Sequence, residues 1–179
     1  MRTSSTLATL SLAPLTLGAA LALATIAPAL AEEPASTTTH EVGNVLECTG
    51  TWQGRAVYAS LYENAAFTNV VQVLVGDDGD QVGDSRESAT PYIEDSQVKA
   101  GLRVGGKKAT VKGYAVAAGP RRAVHDVQDD AGQRVESDGF HRRLDHRIRF
   151  TWKGVSAPLT CATAFHFDLQ VTRTDVTGD

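Results

Sequence analysis

The chain has 179 residues, a formal net charge of −4 and two cysteines. With an apolar N-terminal run set aside, that is length for one domain with a core of its own and too little for two. Neither cysteine belongs to a Cys-x-x-Cys, which excludes thiol redox chemistry and a cysteine-rich zinc site.

The first six residues carry one positive charge, Arg2, and the apolar run that follows closes on Ala29-Leu30-Ala31. Small residues at the two positions a signal peptidase reads, with Pro14 and Pro28 favouring cleavage over a span, give residues 1–31 as an expected Sec signal peptide. Glu32, not a cysteine, follows the cut, so the mature protein is expected to be secreted and extracellular with no membrane anchor. Residues 32–41 are polar and aperiodic and read as a flexible leader; residues 42–176 read as a single all-β domain.

From Asn44 to Trp52, Leu46, Cys48, Gly50 and Trp52 alternate with Glu47, Thr49 and Thr51, the two-residue period of a half-buried strand. Residues 55–62 give a second strand after Gly54, and residues 67–75, rich in β-branched side chains, suit a central one. The Asp- and Gly-rich run 76–84 then breaks the chain. Residues 97–104 and 108–117 flank Gly105-Gly106, a hairpin signal. The run 117–122 (AAGPRR) predicts a turn, and 122–128 a shorter strand. Next, Leu144, His146, Ile148, Phe150 and Trp152 share one face, opposite Arg143, Asp145, Arg147, Arg149 and Thr151. A last strand alternates from Leu159 to Thr172. About eight strands and no helix predict an antiparallel β-sandwich or a closed β-barrel.

Export would place Cys48 and Cys161 in an oxidising compartment, where two cysteines allow one intramolecular disulfide. Both lie on apolar faces, one in the first strand and one in the last. Such a bridge closes a loop of over a hundred residues, worth roughly 4–5 kcal/mol in the chain-entropy model.

Charge is unevenly placed. Residues 32–96 carry a net −10, residues 97–153 a net +7, and the remainder −2. Arg143, Arg147, Arg149 and Lys153 form a one-sided cationic stripe, the candidate surface for an anionic polymer; the bland alternative is a solvated outer face. No aromatics interleave with these bases, so no clear nucleic-acid site is expected.

Three short stretches resemble known families. Gly50-Thr51-Trp52 resembles the G-x-W element of lipocalins and avidins, which implies a barrel binding a small hydrophobic molecule or biotin. In lipocalins the tryptophan packs under a basic side chain of the last strand, and Arg173 has the parity for that role. The disulfide register instead sets residue 157 opposite Trp52 and displaces Arg173 far along the strand. The stretch 51–64 (TWQGRAVYASLYEN) is similar to a W-Q-G segment of secreted subtilisin inhibitors, which implies inhibition of a foreign protein. That family's second disulfide and reactive loop have no counterpart here. Gly83-Asp84-Ser85 with Asp138 and His141 resembles the end blocks of GDS-type esterases, which implies Ser85 as nucleophile, His141 as base and Asp138 orienting it. Those enzymes need helices that the strand pattern lacks.

Asp77, Asp78, Asp80 and Asp84 offer carboxylates to calcium, against the simpler reading of a solvated turn. His125 and His146 fall among apolar residues and His166 shares a face with Asp168, a pattern more often structural than zinc-binding or basic catalysis. The expectation is therefore a secreted, non-enzymatic β-domain that binds a small ligand or an anionic macromolecule, with no cofactor and no metal. The alternatives are a Ser85 hydrolase and an inhibitor of a foreign protein.

Overall fold

The computed structural model describes residues 35–77 and 79–176, and the regular structure there is entirely β. The expected signal peptide and Asp78 lie outside the described residues. Nine strands, β1 (Ser36–Trp52), β2 (Arg55–Asn64), β3 (Asn69–Val75), β4 (Val82–Ser88), β5 (Ile93–Glu94), β6 (Gln97–Val104), β7 (Lys107–Asp130), β8 (Gln133–Trp152) and β9 (Val155–Asp175), build one antiparallel sheet. Its order is β4-β3-β2-β1-β9-β8-β7-β6-β5. Among the described residues no helix is long and apolar enough to cross a membrane.

This meander follows from the turns. Gln53-Gly54, Asp95-Ser96, Gly105-Gly106, Ala131-Gly132 and Lys153-Gly154 are two-residue loops with positive φ at both positions. Turns of that kind match the twist of the flanking strands and so lock sequence neighbours into pairs. The Gly-Gly hairpin is found where the sequence places it.

Neighbour pairing breaks between β4 and β5, which form the two edges of the sheet, and β1 pairs instead with β9, which brings the two ends of the domain together. Cys48 and Cys161 are opposite one another in that ladder, beside a bulge at Glu47/Cys48, and are joined by a disulfide. Around them the inward positions carry Leu46, Val57, Ala59, Leu61, Val71, Val73, Val111, Ile148 and Phe150, all nearly or fully buried. Trp52 and Trp152 meet at 4.7 Å between ring centroids. Their indole N–H groups donate to the carbonyls of Val155 and Val104, so each burial is also polar-satisfied.

The sheet curls into a half-barrel, and this corrects the expectation of a sandwich or a closed barrel. Its two ends approach across β4 and β6, but no backbone ladder joins them. Asp84 accepts the Arg103 amide at 2.9 Å, and Arg86 donates to the Gly101 carbonyl at 2.9 Å. Glu63, buried, accepts the amides of Tyr92 and Ile93. The reason lies in β4, where Asp84 and Arg86 stand opposite Val73 and Val71 at inward positions. Inward-pointing charge blunts an edge strand, and here it bonds to the facing backbone through side chains.

Three further differences bear on the site. Residues 36–41, expected as part of a flexible leader, are strand, because β9 continues to Asp175 and gives them a partner. The run 117–122 is a bulge within a single β7, absorbing Gly119 and Pro120 where the register shifts between Ala117 and Arg121. β4 had no apolar alternation to reveal it. Strands β1, β9, β8 and β7 are therefore long and pair with each other well beyond the disulfide-bridged core.

Candidate anion-binding face

Burial alternates along β6, β7 and β8. Val98, Ala100, Leu102, Val111 and Phe150 point in, which obliges Lys99, Arg103, Lys112 and Arg149 to point out. The two-residue turn at Gly105-Gly106 then pairs Arg103 with Lys108 and Lys99 with Lys112. The β7–β8 ladder pairs Lys112 with Arg149 and Tyr114 with Arg147. Lys99, Lys112 and Arg149 thus form a row of three cations across three adjacent strands.

Side chains directly opposite on one face of an antiparallel pair stand with Cβ atoms about 4.5–5.5 Å apart, and like charges there are destabilising. No carboxylate relieves this row. Among the described residues Lys99, Lys108, Lys112, Arg147 and Arg149 form no ion pair. The hydroxyls of Thr110, Thr151 and Ser156 lie in the next row, where Ser156 accepts from Arg149 Nε at 3.1 Å. A shallow groove runs over this surface between Gln97, Lys99, Lys112, Tyr114, Arg147 and Arg149.

Of the stripe expected from sequence, Arg147 and Arg149 sit in this groove. Arg143 does not: its guanidinium pairs with Asp145. Lys153 occupies the β8–β9 turn with its ammonium 4.1 Å from the Trp152 ring centroid. Lys99, Arg103, Lys108 and Lys112 were missed. The signal for them was present in the hairpin turn, since a two-residue loop fixes every pair in its ladder.

The structure does not bring Ser85, Asp138 and His141 together. Ser85 is on β4 opposite Gln72, at one end of the sheet order, with β3, β2, β1 and β9 between it and β8. Asp138 and His141 are three apart in an unbroken stretch of β8 and so face opposite sides. Asp138 bonds His125, while His141 stacks on Phe165 at 4.3 Å. Partial burial there holds the His141 imidazole below its ordinary pKa, whereas the Asp138 hydrogen bond and its charge raise that of His125.

Of the acidic residues expected for calcium, two have other partners for their side chains. Asp80 pairs with Arg55 at 3.0 Å and accepts the Asp77 amide, and Asp84 belongs to the β4–β6 seam. Each remaining histidine also has a partner: His40 bonds Asp168 at 2.7 Å, His146 the Leu144 carbonyl, and His166 the Asn44 amide oxygen. Trp52 and Arg173 are far apart in the β1–β9 ladder. Arg173 stands opposite Thr37 and pairs with the buried Glu41 at 2.8 Å.

Comparison with family models, curated proteins and solved structures finds no match.

Proposed function

We propose that this is an exported, non-enzymatic β-domain whose outer β6–β8 face binds an anionic polymer. The observation that carries the reading is the Lys99–Lys112–Arg149 row. Three cations held side by side without a carboxylate cost the fold stability, and a row of sulfates, phosphates or carboxylates would neutralise them together. Arg147 and the hydroxyls beside the row add hydrogen-bond donors at the same spacing. Export rests on the N-terminal segment and on the single disulfide, which suits an oxidising compartment. The hydrolase alternative has less support, because its three residues stand apart on different faces and strands.

The test uses heparin and inorganic polyphosphate as probes. Binding at low salt that weakens steeply as sodium chloride rises, and that fails in Lys112→Glu with Arg149→Glu, is the expected result. Salt-insensitive binding, or retention by the double variant, would overturn it.

A further inference from the structure

The turn at Ala131-Gly132 fixes a second constellation, on the far part of β7 and β8. With Asp130 opposite Gln133, the same ladder sets His125 opposite Asp138 and Val127 opposite Glu136. His125, Asp138 and Glu136 share one face, since 136 and 138 have the same parity and 125 stands across from 138. His125 Nδ1 lies 2.7 Å from Asp138 Oδ1, and ligand atoms of all three residues lie within 4.8 Å of one another. A directly opposed pair brings two short side chains together, while the diagonal neighbour needs a longer one to reach. Glutamate at 136 has that length.

Among the described residues the Glu136 carboxylate forms no ion pair, although it borders a His–Asp pair. Arg134 of the same face stands opposite Asp129, and the neighbouring positions on β9 are the neutral Gln170 and Thr172. Of the acids leading into the turn, Asp129 shares this face, while Asp126 and Asp130 fall on the other. The face offers one nitrogen and two oxygen donors from two strands whose register the two-residue turn fixes.

We propose that His125, Glu136 and Asp138 form a divalent-metal site that takes Zn²⁺. One imidazole with two carboxylates suits that borderline ion, and three protein ligands leave its fourth position to water. Ligand atoms around a tetrahedral zinc stand roughly 3.3–3.6 Å apart at bond lengths of about 2.0–2.2 Å. The 2.7 Å pair therefore opens on binding, by roughly 0.6–0.9 Å at those bond lengths, as exposed side chains on a rigid ladder can. The metal takes the Nδ1 lone pair of a neutral imidazole that keeps its proton on Nε2. The Nδ1 proton of an imidazolium passes to solvent, that of the neutral Nδ1–H tautomer is exchanged through solvent for one on Nε2, and the carboxylates displace waters from the aqua ion. The site lies apart from the cationic groove and does not depend on what binds there.

Isothermal titration of the exported protein with zinc chloride at constant pH, with the histidine resonances followed in parallel by NMR, tests it. One zinc per chain is expected, perturbing His125 and leaving His40 and His166 unmoved. His125→Ala and Glu136→Gln should each weaken binding at least about tenfold, the loss that even an outer partner's removal causes. His40→Ala, which breaks the separate pair with Asp168, should not. No saturable binding, or binding that survives both His125→Ala and Glu136→Gln, would overturn the proposal. Circular dichroism that leaves the variants' β-sheet spectrum unchanged separates ligand loss from unfolding.

Discussion

Lys112 and Arg149 stand directly opposite one another across β7 and β8, with Lys99 completing the row on β6 and no acidic side chain beside them. A fold selected for stability alone would place a carboxylate at the central position. Lys112→Glu is therefore expected to stabilise the domain by about 0.2–1 kcal/mol while weakening heparin and polyphosphate binding. Denaturant midpoints and salt-dependent elution, read on the same variant, check the two halves. A variant that is less stable and binds as before would remove the basis for the reading.

Cys48 and Cys161 close a loop spanning 113 residues. Replacing both by alanine is expected to cost roughly 4–5 kcal/mol, since the loop entropy returns to the unfolded chain. The β1–β9 ladder would persist, so the variant should keep its β-sheet spectrum at low temperature and unfold at lower denaturant. Urea unfolding of the oxidised and doubly substituted proteins measures the difference.

Two histidines on one strand pair should titrate on opposite sides of the ordinary value of 6.5. His125 is raised by its hydrogen bond to Asp138, and His141 is lowered by burial against Phe165. The sign for stability follows from linkage. At His141 the unfolded chain binds the proton more readily, so folding loses stability as pH falls below 6.5 and the loss levels off below the folded pKa. At His125 the stabilising contribution is full below 6.5 and fades as pH rises through the raised value. NMR titration in metal-free buffer should find His125 last to deprotonate of the two, and His141→Phe should flatten the acid side of the stability profile.

Gly43 lies between Asn64 and Phe167 in the ladder, and a Cβ there would run into the Glu63 carbonyl and the Phe167 ring. The backbone of β2 cannot withdraw, because Glu63 is tied to Asn44 and to the amides of Tyr92 and Ile93. Gly43→Ala should destabilise by about 1–3 kcal/mol or more. Thermal unfolding checks it, with Gly101→Ala as the comparison, since a Cβ at Gly101 meets nothing.

Much of the fold was legible in the residues. Alternation placed Cys48 and Cys161 on apolar faces of the first and last strands, and that pairing sets the two ends of the domain side by side inside the sheet. It failed for β4, whose inward positions are Asp84 and Arg86, and for residues 36–41, whose strand state depends on β9 lying alongside. It also read the bulge at Gly119-Pro120 as the end of a strand, because local chain chemistry is the same in a bulge and a turn.

By itself, then, the sequence determined which side chains face inward wherever apolar residues alternate, since side chains of an extended chain alternate by geometry, and it determined the tight turns, since positive φ needs particular residues. It thereby held the cations at Arg147 and Arg149 on one face. Only the tertiary structure decided which residues stand opposite one another where the register shifts, and whether the sheet closes. Both depend on contacts between strands distant in sequence. That is why the Lys112–Arg149 pair, which lies beyond the bulge, emerges only from the assembled ladder, whereas the meeting of Asp138 with His125 follows from the two-residue turn at Ala131-Gly132.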